Sequence, residues 1–385
     1  MRLAWFRASA AEGAHPFDDT VGLIRELGAE HDVQLFTNPN AHDFVWKHFR
    51  VPYDVCVFEL DNTPAHAFIW PYLLHYGGVL LLRTRTLHDS RAHALIHTAR
   101  LDDYVAEFAF NEGYPPYLAH GCHYISSHVS AMLRVPLLAS RVTVMPHKGV
   151  AEALQDEYPE PRIRYSPLPV QERRLPQDAQ GLQKVPSGDV TFGVVSTDPV
   201  DVARRALARA CETGTAATLL IDVPERVIQR ADVVLTLQWP GFGTPHTLAL
   251  AAMSCGKPVV VLETDASADW PVLDPQTWHP RGFGAAAPIG VSIDLRDEEH
   301  SLMLAVRRLA ADAALRARLG EAGRAWWRAH ATVDRAVQAW RPILREAAAL
   351  DRPPRPANWP AHLDADGAER AREILREFGV TVDLF

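Results

Sequence analysis

The sequence predicts an α/β protein of two doubly wound domains, each a parallel sheet with helices on both faces, set against one another across a cleft. Three observations predict it. Short apolar runs alternate with helix-compatible stretches from Arg2 to Met145, and the alternation resumes from Thr191 to Leu295. Between them, Pro159 to Ser187 is rich in Pro, Gln, Arg and Asp and has little periodicity, which marks an interdomain linker. The length, 385 residues, suits two or three domains with ample core.

Taken in order, Arg2 to Phe6 reads as the first strand and Ala8 to Pro16 as a small-residue loop. Asp18 to Leu27 is helical, because Val21, Leu23, Ile24 and Leu27 fall near helical spacing. Val33 to Phe36 and Val55 to Leu60 are the next strands. Ala67 to His75 suits a helix with Pro71 in its first turn or at a kink. Val79 to Leu82 is a fourth strand, His88 to Phe110 is helix-rich and Val142 to Met145 is a late strand. The first domain is placed at residues 1–165 and the linker at 166–188. In a second domain, residues 189–325, Thr191 to Val195, Thr218 to Ile221, Val233 to Leu237, Val259 to Leu262 and Val291 to Leu295 read as strands, with a helix over Pro199 to Glu212. From Glu298 the chain is helical to about Leu350; a proline-rich tether, Asp351 to Pro360, then leads to a last helix near Ala365 to Phe378, all within a C-terminal helical part placed at 326–385.

Composition excludes several classes. Net charge is -8, so no broad basic surface is offered to nucleic acid. Cys56, Cys122, Cys211 and Cys255 are far apart and form no Cys-x-x-Cys pair; they read as buried free thiols in a reducing compartment rather than a metal site. The start, Met1 to Gly13, lacks a long apolar run and reads as a strand rather than a signal peptide. No segment approaches the roughly 18 continuous apolar residues of a membrane span. A cytoplasmic protein is expected. No metal is expected either: no Asp-x-Asp stands near a strand end in the first domain, and Asp102-Asp103 falls inside a helical pattern.

The stretch Ala231 to Leu262 is the most informative. It reads strand, glycine-rich turn (Pro240-Gly241-Phe242-Gly243), helix (Thr247 to Ser254), a break at Gly256-Lys257-Pro258, then strand. A glycine turn feeding a helix start aims free N–H groups and a positive dipole end at one point, which is an anion site. The same pattern also serves as a tight βα turn in any doubly wound sheet. The block resembles the donor-binding segment of the family-4 glycosyltransferases, which have the GT-B fold. Gly241-Phe242-Gly243, Ala252-Met253, Cys255-Gly256 and Pro258-Val259-Val260 fit its pattern, Ala231-Asp232-Val233 matches its lead-in, and Ala268-Asp269-Trp270-Pro271 stands where the family often has Glu-Leu-Pro. In the first half, Asp61-Asn62-Thr63-Pro64-Ala65-His66, Trp70-Pro71-Tyr72-Leu73, Leu101-Asp102-Asp103-Tyr104 and Ala106-Glu107-Phe108 resemble bacterial members. The resemblance runs from Met1 to about Leu350. It implies a GT-B architecture of two Rossmann-like domains, with the terminal helices crossing back onto the first. It also implies a nucleotide-sugar donor, retention of configuration and no metal or other cofactor.

The sequence departs from the family at its charged positions. Relatives place an Arg and a Lys after the first strand of the second domain; here Val194 to Asp201 has neither, and carries Asp198 and Asp201. Arg204 and Arg205 follow a turn later and read as exposed helix residues. The two acidic positions of the Phe-Gly block fall on Gly243 or Thr244 and on Ala251, and the His-Asp after the fourth strand is Arg83-Thr84. Three strands rather than four are counted between Thr191 and Leu237. The remaining donor-side candidates are Gly13, Phe242, Gly243, Thr244, Pro245, His246 (a phosphate donor when protonated) and Asp269. The cleft candidates are Asn62, His66, Arg83 and His88, the last beside Asp89. Packed histidines and a plain loop glycine are the competing readings. Two functions follow. One is a glycosyltransferase with an altered set of contacts and low activity on its own. The other is a non-catalytic GT-B protein that binds a glycan or nucleotide, or scaffolds a partner glycosyltransferase. A homodimer is also compatible.

Overall fold

The computed structural model describes residues 1–9, 17–113, 130–172, 189–195, 200–237, 239, 246–281, 286–364 and 374–379. Among these, two sheets form and share no strand. The first has six parallel strands: β1 (Arg2–Phe6), β2 (Asp32–Phe36), β3 (Val55–Leu60), β4 (Val79–Leu82), β5 (Val142–Met145) and β6 (Ile163–Tyr165), in the order β2-β1-β3-β4-β5-β6. The second has seven: β7 (Val190–Val195), β8 (Ala217–Asp222), β9 (Val233–Thr236), β10 (Val259–Leu262), β11 (Val272–Leu273), β12 (Pro280–Arg281) and β13 (Gly290–Ile293). Its order is β12-β11-β13-β10-β9-β7-β8, and only β11–β12 is antiparallel. Both sheets are doubly wound. Their central strands are buried on both faces, which is why β4 (VLLL) and β10 (VVVL) read as unbroken apolar runs. Three strands, β7 to β9, lie between Val190 and Thr236.

Helices cover the sheets. In the first half they are α1 (Thr20–Leu27), α2 (Asp43–Arg50), α3 (Ile69–Tyr76), α4 (His88–Ile96), α5 (Leu101–Glu112), α6 (Arg134–Ala139) and α7 (Lys148–Glu157). Pro71 falls in the first turn of α3, where its missing N–H has no helical partner to lose. The second half carries α8 (Val200–Glu212), α9 (Pro224–Arg230), α10 (Thr247–Ser254), α11 (Glu298–Ala311), α12 (Ala313–His330) and α13 (Val333–Ala349). The α13 helix leaves the second sheet and packs on the first: Ala336, Val337, Trp340, Ile343 and Leu344 share a core with Leu3, Trp5, Val57 and Val144. The rings of Trp5 and Trp340 lie 4.8 Å apart. The following segment keeps to the first domain, with Leu363 buried in its core and Trp359 against Phe110.

Four short helices, α2, α6, α7 and α9, and strand β6 appear where the sequence pattern showed none. Strand β6 lies within the stretch read as linker. Of the cysteines expected to be buried, Cys56 is, Cys255 is half-buried and Cys211 is exposed on α8; Cys122 lies outside the described residues.

The linker is tied down where it leaves β6. Asp18 pairs with Val170 in an isolated antiparallel bridge. Asp19 N donates to Pro169 O at 2.9 Å, Val170 N to Ala331 O at 2.9 Å, and Trp327 Nε1 to Val170 O at 3.2 Å. One residue thus holds the first domain and the α12–α13 junction together.

Candidate functional site

In doubly wound sheets, ligands gather beyond the C-terminal strand ends. In the first domain those ends carry Arg7 after β1, Glu59 in β3 and Arg83 after β4. Arg83 is 1% exposed. Its Nη1 donates to Glu59 Oε1 at 2.8 Å and lies 2.8 Å from Asp18 Oδ2. Arg7 Nε stands 3.8 Å from Glu59 Oε2. Asp18 in turn accepts from Thr20 N at 2.8 Å and from Thr20 Oγ1 at 2.6 Å. Burial alone would loosen the Arg83 proton, but Asp18, Glu59 and Asp61 hold it above the ordinary arginine range. Burial likewise opposes the Asp18 charge, but Arg83, the two Thr20 hydrogen bonds and Arg7 together more than offset it, so Asp18 stays below its usual value. The cation after the fourth strand is therefore already neutralised by its own carboxylates.

The other first-domain candidates are built into turns. Asn62 accepts from Ser90 N at 3.1 Å and donates to Asp89 Oδ2 at 2.8 Å, joining the end of β3 to the start of α4. His66 is buried with Nδ1 2.9 Å from Thr63 Oγ1. His88 is buried between Ser130 O (3.1 Å from Nδ1) and Tyr104 Oη (3.4 Å from Nε2), and burial lowers its pKa. Both of its ring nitrogens are engaged in packing. Arg204 and Arg205 are exposed, and Arg205 Nε pairs with Glu299 Oε2 at 2.6 Å on the outer α8–α11 face. Gly13, Phe242, Gly243, Thr244 and Pro245 lie outside the described residues.

The domains meet along the turn after β10. Arg85 joins Asp265 across the interface and reaches Glu157 at 3.3 Å. Ala266 is buried in the first domain's core. Beside this contact the starts of α7 and α10 face each other: the rings of their N-cap residues, His147 and His246, are 5.7 Å apart. Neither ring caps its own helix. The first-turn N–H groups of both helices lack intrahelical acceptors, and both positive dipole ends point into one interface. Lys148 opens α7 and is exposed. His246 is only half-buried as a residue, but its Nε2 edge is sealed from water and has no hydrogen-bond partner among the described residues. Burial pushes its pKa down to about 4. The imidazole is therefore neutral at pH 7, which corrects the expectation of a protonated phosphate donor.

From His246 a row of rings continues: Trp270 at 5.3 Å, Trp326 a further 5.3 Å on, and His330 4.6 Å beyond that. Three of them, Trp270, Trp326 and His330, line a cavity of about 300 Å³ together with residues of both domains and the linker. Its floor includes the buried Leu168, Leu250 and Ala331, and its rim carries Lys148, Tyr165 and Asp269. Asp269 is thus the sequence candidate that reaches the cavity, and His246 borders it. Lys148, Tyr165 and Trp326 were missed. The Trp326-Trp327 pair falls inside the stretch that reads as helical from Glu298 to about Leu350, where nothing marks it as part of a site. Among the described residues, no group of three or more His, Cys, Asp or Glu side chains is placed to hold a metal ion. No helix among them is long and apolar enough to cross a membrane.

No protein-family model and no curated protein matches the sequence. Solved structures do match. The chain is similar to sucrose-phosphate synthase from Thermosynechococcus elongatus, with a TM-score of 0.57 at 12% identity over 90% of this chain and 98% of that one. It is also similar to HepE from Anabaena, solved in complex with UDP and glucose, with a TM-score of 0.52 at 13% identity over 91% of this chain and 100% of that one. At such identities the likeness speaks for the fold, which is that of GT-B glycosyltransferases: two Rossmann-like domains spanning nearly the whole chain.

Proposed function

We propose that the chain is a GT-B glycosyltransferase of family-4 type that moves a sugar from a nucleotide-sugar donor to an acceptor hydroxyl, with retention and without a metal. The observation that carries this reading is the meeting of two helix starts, one from each domain, whose N-cap rings lie 5.7 Å apart and do not cap their own helices, with Lys148 as the first residue of α7. In glycosyl transfer the bond from the anomeric carbon to a diphosphate oxygen breaks, and negative charge grows on that oxygen. Fixed N–H dipoles aimed at the charge stabilise it without reorganisation. Here the α7 and α10 starts and Lys148 take the place of the missing Arg and Lys. Residues Phe242 to Pro245 and Gly13, which in the sequence precede α10 and follow β1 respectively, would complete the donor contacts.

The test is a thermal-shift screen of nucleoside diphosphates and nucleotide-sugars, followed by product assays with the donors that bind. A nucleotide at about a hundred times its Kd is expected to stabilise the fold by roughly 2.7 kcal/mol. Lys148→Glu is expected to weaken that nucleotide about tenfold to a hundredfold, the cost of replacing an attractive charge by a repulsive one near the phosphates. Activity is expected to survive EDTA. If no nucleotide shifts the melt, or if Lys148→Glu binds as tightly as the parent, the proposal fails.

A further inference from the structure

The α2 helix carries an apolar face that the described residues leave bare. Its inner side is fixed: Phe44 is fully buried, with the rings of Tyr76 and Phe36 at 4.8 and 5.4 Å. Its outer side exposes Val45, Trp46 and Phe49, the last two by 62% and 79%, and exposed Val51 follows just past the helix end. The Trp46 and Phe49 rings stack at 6.2 Å. Together these four side chains offer an apolar surface on the order of 450 Å². A stable interface buries about 800 Å² on each partner, and roughly 65% of that is apolar between identical chains. The patch therefore matches one half of such a contact. Charge decides what sits on it. Asp43 opens α2 and Arg50 closes it, two turns apart on one flank and both exposed. A second α2 laid antiparallel across the first sets Asp43 of each copy against Arg50 of the other, with the aromatic rings between them. The acids and bases around the patch balance, Asp32, Asp43 and Asp54 against Arg2, Lys47 and Arg50, whereas a lipid surface is served by an excess of basic residues. Asp43 now pairs with Lys47 at 3.6 Å and Arg50 lies 5.8 Å from the Trp46 ring; both contacts are exposed and cost little to rearrange. From these observations we infer that α2 is the contact of a two-fold dimer, and that its occupant is a second copy of this chain in antiparallel orientation. The helix flanks β2, the outer strand of the first sheet, whereas the candidate site lies by β6 at the opposite edge. Pairing through α2 therefore leaves both clefts open.

The experiment is sedimentation velocity on the full chain from about 1 to about 100 µM, where a dimer with a micromolar dissociation constant is expected. Phe49→Asp puts a charge into the centre of the face and is expected to weaken the dimer by roughly a hundredfold or more. Arg50→Asp and Asp43→Arg, taken singly, set like charges against each other at both ends of the contact, and each is expected to weaken it by roughly tenfold or more. Mixed together, these two single variants are expected to associate as tightly as the parent, because each supplies the charge that the other has lost. All three substitutions are at exposed positions, and the variants are expected to melt as the parent does, so the readout is association rather than folding. The parent is expected not to co-sediment with vesicles of phosphatidylcholine and phosphatidylglycerol. Four results overturn the inference. The first is a parent that stays monomeric throughout the range. The second is a dimer that Phe49→Asp leaves intact. The third is a mixture of Arg50→Asp and Asp43→Arg that associates no better than either variant alone. The fourth is vesicle binding that Phe49→Asp abolishes, which would assign the face to lipid.

Discussion

Replacing Arg83 by alanine is expected to destabilise the fold by about 3–5 kcal/mol. Asp18 and Glu59 both lean on its guanidinium at 2.8 Å, and all three side chains are almost wholly buried. Taking the cation away leaves two carboxylates in the interior, with Arg7 at 3.8 Å from Glu59 as the remaining nearby arginine. They must then either stay charged without solvent or take up protons at neutral pH, and both are costly. Urea unfolding at pH 7 reads the effect as a lower midpoint. A triple variant, Arg83→Met with Asp18→Asn and Glu59→Gln, removes the charges together and is expected to recover much of the loss. An Arg83→Ala protein as stable as the parent would show that water reaches the cluster.

The second large effect is on pH. His246 is held neutral, with its pKa pushed down to about 4 from an ordinary 6.5. In the unfolded chain the ring takes its proton as pH falls through 6.5, whereas in the folded chain it resists until about 4. Between those values the unfolded state binds more protons, so stability falls as the solution is acidified. The loss from this ring is at most about 3 kcal/mol, and less to the extent that water reaches its half-buried face. His88, also lowered by burial, acts in the same direction. The depressed carboxylates, Asp18 and Glu107, add their losses at lower pH, below the ordinary carboxylate range. Urea midpoints from pH 7 to pH 4 should therefore decline early, and His246→Phe should flatten the upper part of the decline. An unchanged profile in that variant would mean that the ring titrates normally.

The sheets were legible in the sequence because parallel strands covered on both faces leave unbroken apolar runs, as in Val79–Leu82 and Val259–Leu262. The helix Asp43–Arg50 was not, because Trp46 and Phe49 are exposed and Phe44 alone is buried. Its apolar residues do not trace a core-facing stripe. The site was legible only in part. The start of α10 and Asp269 stood out because glycine turns and family-like spacing are local. The cavity was not, because its walls come from five distant segments: residues 146–148, 165–168, 250, 269–270 and 326–331. Neither was the fate of Arg83. A sequence shows that a cation stands after the fourth strand, but not that Asp18 and Glu59 close on it.

The knot at Val170 has a mechanical consequence. Bonds from Asp18, Asp19, Trp327 and Ala331 converge on one or two linker residues, so a swing of one domain against the other has its fulcrum there. Displacement in a lever grows with distance from the fulcrum. In such a swing the cavity, with Leu168 and Ala331 in its own wall, would sit beside the fulcrum and change shape least, while the far lip of the cleft would move most. A ligand near the pivot would be retained through many strokes, while one at the lip would exchange on each.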